Sequence, residues 1–113
     1  MPETCLFCRI VNKELPAKLV AESDHALAFH DIAPQAPVHV LVIPKAHYAS
    51  LAETPDGSVM AEVSELAKRV ARELGVEAAG YRLVVNTGDD GGQTVHHLHA
   101  HLLAGRAMKW PPG

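Results

Sequence analysis

Three histidines at strict alternation, His97, His99 and His101, constrain this chain more than any other feature. Side chains on a β-strand alternate between its two faces with a period of two. The segment from about Val95 to Leu103 is therefore predicted to be a strand, with the imidazoles on one face and Leu98, Ala100 and Leu102 on the other. The second face is apolar and must pack on a core. Neighbours on one face of a strand are about 7 Å apart, and three imidazolium ions so placed would repel one another. The group is expected to be mostly uncharged at neutral pH. Neutral imidazole serves as nucleophile, general base or metal ligand, and alternation alone does not choose among these.

The remaining pattern supplies the partners such a strand needs. Leu6, Phe7, Ile10 and Val11 recur at helical spacing within residues 5 to 14, and Leu15-Pro16 closes that short helix. Two short strands are expected over Lys18 to Glu22 and Ala26 to His30, joined by a turn at Ser23-Asp24. The segment Asp31 to Pro37 holds two prolines and cannot be regular structure, whereas Val38 to Ile43 is rich in β-formers. A long helix is predicted from about Pro55 to Leu74, with Val59, Val63, Leu66, Val70 and Leu74 as its apolar stripe. Thr54 is its expected N-cap and Gly75 its stop. With Tyr81 to Asn86 as a further strand, the chain reads as an α+β domain: an antiparallel sheet of about five strands, one long helix and a short N-terminal helix. At 113 residues with 48% apolar content, one compact domain over 1–113 is expected, and its small size makes self-pairing attractive.

Composition removes several functions. A net charge of −3 offers no basic surface for duplex nucleic acid, so no nucleic-acid partner is expected. No apolar stretch approaches the roughly 20 residues that cross a bilayer, so no membrane partner is expected either. The opening Met1-Pro2-Glu3-Thr4-Cys5 lacks the basic and apolar regions of a secretory signal, which makes a cytoplasmic location the expectation. The only cysteines, Cys5 and Cys8, form a Cys-x-x-Cys pair open to half a metal site or a redox couple. Just before the histidines, Gly91-Gly92 would let backbone N–H groups approach an anion, and Thr94 adds a hydroxyl. The loop lacks the spacing and Lys-Ser/Thr ending of a P-loop.

The run Gly92 to Leu103 resembles the His-x-His-x-His signature of the histidine triad superfamily. Ala28 to Ile32, Pro34 to Pro37, His39 with Leu41 to Lys45, and Gly105-Arg106 with Trp110 to Gly113 resemble its nucleotide-binding branch, the purine nucleoside phosphoramidases. The resemblance covers nearly the whole chain in order. It implies a histidine-triad fold and hydrolysis of adenosine or guanosine 5'-phosphoramidates to a nucleoside monophosphate and an amine. His99 would be the nucleophile and become nucleotidylated. His101 would contact phosphate and help protonate the leaving amine, with Thr94 assisting and His39 and His97 supporting the triad. The family usually has serine where Thr94 stands; threonine keeps the hydroxyl and adds a methyl.

By the same resemblance, Leu6, Phe7, Ile10, Leu15, Phe29 and Ile32 would form the nucleoside slot, and Asp31 would accept hydrogen bonds from the ribose. Asn86, with the backbone of Gly92, Gln93, Thr94 and Val95, would bind phosphate oxygens. A structural zinc site would draw on Cys5, Cys8, His47 and His97, with no cofactor needed for the chemistry. The protein would be a homodimer with both long helices at the interface. Residues 104–113 would be a C-terminal tail that reaches toward a partner's active site. Two other functions share these residues: dinucleoside polyphosphate hydrolysis, and a nucleotide-binding module in which turnover is incidental.

Overall fold

The computed structural model describes residues 4–113. Met1, Pro2 and Glu3, part of the segment read as lacking a secretory signal, lie outside the described residues. Five strands form one antiparallel sheet: β1 (Leu19–Glu22), β2 (Ala26–His30), β3 (Val38–Pro44), β4 (Tyr81–Val85) and β5 (Ala100–Ala104). Their order in space is β1-β2-β3-β5-β4, which puts the last strand of the chain between two earlier ones. A short helix, α1 (Leu6–Val11), and a long one, α2 (Ser58–Glu73), complete the α+β fold expected from the sequence. Among the described residues, no helix is long and apolar enough to cross a membrane.

The sheet is covered on both faces, and each face has its own core. On one, Val63, Leu66, Ala67, Val70 and Ala71 of α2 pack on Ala28, Val40, Val42, Ala100 and Leu102. The many alanines bring the helix close to the sheet. The stripe predicted for α2 holds in its middle, while Leu74 at one end is 36% exposed and Val59 at the other is half-buried. On the opposite face, Phe7 of α1 joins Leu27, Phe29, Leu41 and Ile43 in a smaller core. This second core covers only part of the sheet, and His101 stands half-buried at its margin.

Two boundaries differ from expectation. Helix α2 begins at Ser58 rather than near Pro55, and Thr54 does not cap it. Thr54 instead closes a 3₁₀ turn over Leu51–Glu53, its hydroxyl donating to the Leu51 carbonyl at 2.8 Å. Preceding a proline, Thr54 is driven into extended geometry (ψ 147°). The end of α2 gains an Asx-type bond instead, Ser58 N–H to Asp56 Oδ1 at 2.9 Å. Gly75 ends the helix as expected, with φ +73°.

The second difference concerns the histidine strand. Regular pairing begins at Ala100, so His97 and His99 precede the strand instead of alternating along it. Residues before Ala100 are held by the segment after β3: Leu98 N–H donates to the Tyr48 carbonyl at 2.7 Å, and the His97 ring reaches the Pro44 carbonyl at 2.8 Å. These bonds replace a ladder and bring the rings closer than an extended strand would. The centroids of His99 and His101 are 4.9 Å apart.

Candidate active site

Strand register builds the site from one row of side chains. His101 on β5 stands opposite Leu41 of β3 on one side and Val84 of β4 on the other, and Leu41 in turn opposes Phe29. Paired residues of neighbouring strands share a face. The row Phe29, Leu41, His101, Val84 therefore crosses the face opposite α2, with His101 between apolar β2–β3 and the edge strand. Helix α1 lies over the apolar end, where the Phe7 and Phe29 rings meet edge to face at 5.5 Å.

Between α1 and this row lies a cleft of about 370 Å³. All six residues expected in the nucleoside slot line it: Leu6, Phe7, Ile10, Leu15, Phe29 and Ile32. Asp31, Thr94, Val95, His99 and His101 line it too. Leu41 is a wall residue that sequence reasoning missed, because nothing in an unbroken apolar run tells core from cleft. Asn86, Gly92 and Gln93 do not line this cleft.

The glycine loop is explained by its own closure. Gly92 N–H and Gln93 N–H already donate to the Asp89 and Gly88 carbonyls, each at 3.0 Å. Buried Gln93 accepts from Gly88 N–H and donates to the Ala49 and Val95 carbonyls, tying loop to body. A Cβ at Gly91 would lie 2.3 Å from the Thr87 carbonyl oxygen, and Gly92 has φ +81°. The loop delivers Thr94 to the cleft mouth, where it is exposed.

His99 is 5% exposed and rests edge-on against Phe7, with centroids 5.2 Å apart. Its Nδ1 is 2.7 Å from the His97 carbonyl oxygen. A carbonyl only accepts, so Nδ1 carries the proton and Nε2 keeps a free lone pair. This is the tautomer a nucleophile needs.

A second group contains Asp31, His39 and His101. Gln35 N–H donates to His39 Nδ1 at 3.0 Å, which puts the His39 proton on Nε2. That N–H lies 2.9 Å from His101 Nδ1 and 3.4 Å from Asp31 Oδ2. His101 therefore accepts at Nδ1 and presents its own N–H from Nε2. A backbone amide thus sets the tautomers of two histidines in series. Burial pushes the His39 pKa down, opposed by Asp31. It also lowers His101 to about 4, with repulsion from His99 and His39 adding to it and Asp31 opposing. At His101 the neutral form is favoured by burial first and by repulsion second. The Asp31 carboxylate is also engaged locally, since Oδ1 accepts from Ala33 N–H at 2.7 Å.

The third group is Cys5, Cys8, His47 and His97, whose potential ligand atoms all lie within 4.8 Å of one another. Helix α1 supplies the cysteines: the Cys5 thiol caps it by accepting from Cys8 N–H. His97 Nδ1 lies 3.4 Å from Cys5 Sγ, 3.5 Å from Cys8 Sγ and 3.2 Å from His47 Nδ1, and Cys8 Sγ is 3.2 Å from His47 Nδ1. Tetrahedral zinc would set ligand–ligand edges of about 3.3 Å between nitrogens and about 3.6 Å between nitrogen and sulfur. The His97–His47 distance and both His97–thiol distances lie within about 0.2 Å of these edges, while Cys8–His47 is about 0.4 Å shorter. His97 Nε2 donates to the Pro44 carbonyl, so its lone pair is Nδ1, aimed into the cluster. Burial, with Cys5 next, holds the Cys8 thiol up at about 11 in the metal-free chain. A metal bound there would have to displace that proton. The residues fit a metal ion.

A family model for the HIT domain matches residues 12–108. The chain belongs to the HIT family. An uncharacterized HIT-like protein of Synechococcus elongatus is 49% identical over 115 aligned positions spanning all of both chains. Among solved structures, a HIT family hydrolase from Legionella pneumophila superposes with a TM-score of 0.93 at 50% identity, covering 96% of this chain and 99% of that one. A histidine triad nucleotide-binding protein from Candida albicans gives 0.83 at 32% identity, covering 95% and 82%. The histidine cluster described above is thus set in a fold shared at close range with HIT family proteins.

Proposed function

We infer that this HIT protein is a nucleotide hydrolase, and specifically a purine nucleoside phosphoramidase. The observation that carries the reading is His99: a buried imidazole whose Nδ1–H is held by a carbonyl, leaving Nε2 as a nucleophile in an apolar cleft of nucleoside size. The name of the Legionella relative supports the hydrolase class, and that of the Candida relative supports nucleotide binding.

In this reading the base lies between Phe7, Ile10 and Phe29, with the ribose toward Asp31. His99 Nε2 attacks the α-phosphorus, the P–N bond breaks, and the nitrogen leaves as an amine after gaining a proton. Thr94 and His101 are the protic groups beside His99 in the cleft, and whichever supplies that proton recovers one from solvent. The His101 N–H donates to a phosphoryl oxygen. Asn86 serves the same end from the opposite side of His101, and the N–H groups of Thr94 and Val95 act where the glycine loop delivers them. Water then attacks phosphorus, the bond to Nε2 breaks, a proton is released, and neutral His99 is restored.

Zinc held by Cys5, Cys8, His47 and His97 would be structural, supplying a rigid four-point cross-link and no open coordination position. That cross-link fixes the backbone at His97, whose carbonyl orients His99. Residues 1–113 act as one domain, with the tail beside the site, in a cytoplasmic homodimer. Strand β4 leaves a free sheet edge with Leu83 and Val85 only partly buried, consistent with a partner.

The deciding experiment compares kcat/KM on an adenosine 5'-phosphoramidate and on diadenosine polyphosphates. The phosphoramidate should be favoured, and a clear preference for the polyphosphate would overturn the assignment. His99→Ala should lower turnover on the order of 10⁴-fold or more while nucleoside monophosphate still binds. Turnover retained in that variant would instead make the chain a binding module with incidental activity.

A further inference from the structure

Beyond His101, on the side away from His99, the sheet face continues into a second groove of about 680 Å³. Its floor follows from register: Leu103 is the next β5 residue on the His101 face, paired with His39 on one side and Arg82 on the other. The C-terminal segment forms its far wall, where Met108, Lys109 and Pro111 to Gly113 face the same chain's His39 and His101. His101 and no other triad residue lines both groove and cleft.

The groove is unlike the cleft in charge. Arg82, Arg106 and Lys109 all line it, and no acidic side chain does. None of the three takes part in an ion pair among the described residues, although the other Arg and Lys pairs run along α1, β1–β3 and α2. In a chain of net charge −3 this is a local reversal of sign. The arginines are held in place. Arg82 Nη2 donates to the Lys109 carbonyl at 2.9 Å, with its guanidinium 6.0 Å from the Trp110 ring centre. Arg106 Nη2 donates to the Gln35 carbonyl at 3.0 Å. Each contact uses part of a five-donor fork and leaves donors over.

We propose that this groove is the leaving-group subsite and that it selects amines carrying a carboxylate. The inference rests on the phosphoramidase reading. Displacement at phosphorus keeps the attacking and leaving atoms roughly in line. With His99 attacking from the cleft, the leaving nitrogen departs on the far side of phosphorus, toward His101 and the groove behind it. A carboxylate on that amine then meets three unpaired cations next to the bond that breaks. Apolar cleft and cationic groove thereby divide the substrate into base and leaving group.

The test uses a matched pair of adenosine 5'-phosphoramidates, one N-linked to glutamate and one to glutamate diamide, with the unsubstituted phosphoramidate as reference. The wild-type protein should show kcat/KM about tenfold higher for the glutamate compound, shrinking as salt is raised. Lys109→Glu, a change at an exposed side chain, should bring the ratio to about one or below, and Arg106→Gln should lower it. A wild-type ratio at or below one, with the unsubstituted compound still hydrolysed, overturns the subsite and leaves the phosphoramidase reading standing. So does a high ratio that neither variant changes. Failure to hydrolyse any of the three compounds overturns both.

Discussion

His97, fully buried, and His101, half-buried, lie four residues apart and both have depressed pKa values with burial as the first cause, yet they belong to opposite kinds of cluster. Around His97, the Pro44 carbonyl claims the Nε2 proton, and the remaining lone pair converges with two thiols and a second imidazole. Around His101, which lines the cleft, the Gln35 amide starts a chain in which each group donates to the next, leaving His101 with its proton on Nε2. One cluster gathers lone pairs and invites a cation; the other threads protons and needs none. The 2.9 Å separation of His39 and His101 suits a hydrogen bond and is short for two ligands of one tetrahedral ion, although Asp31, His39 and His101 form a group that could in principle hold a metal. What separates the clusters is the backbone group that each outer histidine nitrogen meets.

The sharpest way to break this contrast is to unmake the lone-pair cluster. Cys8→Ser, or chelation of the wild type, should remove the metal and lower stability by at least about 3 kcal/mol, a fall in Tm of about 12 °C or more. Metal analysis of untagged protein alongside thermal melts checks it. Far less than one zinc per chain, with no change in Tm for the variant, would mean that the convergence of Nδ1 and Sγ atoms holds no ion. His39→Asn should act in the opposite sense. It breaks the proton chain between Gln35 and His101, and kcat on an adenosine phosphoramidate should fall about 10²-fold, roughly 2.7 kcal/mol of barrier. Tm and metal content should stay close to wild type. A variant with unchanged kcat would show that His101 needs no partner to hold its tautomer.

The sequence carries these clusters unequally. Period and composition were enough for the two helices, the five strands and both faces of the sheet, because an apolar stripe or alternation has few ways to be buried. The three histidines were legible as a group, but their roles depend on groups with no sequence signature: the carbonyls of Pro44 and His97 and the amide of Gln35. Every residue has such groups, and only the fold decides which imidazole meets a donor and which an acceptor. The same holds for Arg82, Arg106 and Lys109, scattered over 28 positions and brought together only by the order β3-β5-β4 and the returning tail. Nor did the sequence signal the structural part Gln93 plays, its N–H and side chain both tying the glycine loop together.

The smallest expected effect concerns pH, and it reads the proton chain at His101. His101 titrates near 4 in the folded chain against about 6.5 when unfolded. Between those values the unfolded state binds more protons, so stability rises with pH. His101's contribution is complete above about pH 6.5, is lost as pH falls through the window, and changes no further below about 4. His101 is only partly buried, so solvent screening reduces the effect to about 1 kcal/mol. Urea unfolding of wild type and His101→Gln at pH 7 and pH 4.5, both after chelation, isolates this residue from acid release of metal. The wild type should lose more stability than the variant over that interval. Equal losses would mean that solvent reaches His101 freely, and the proton chain would then lack the dry surroundings that keep its tautomers fixed.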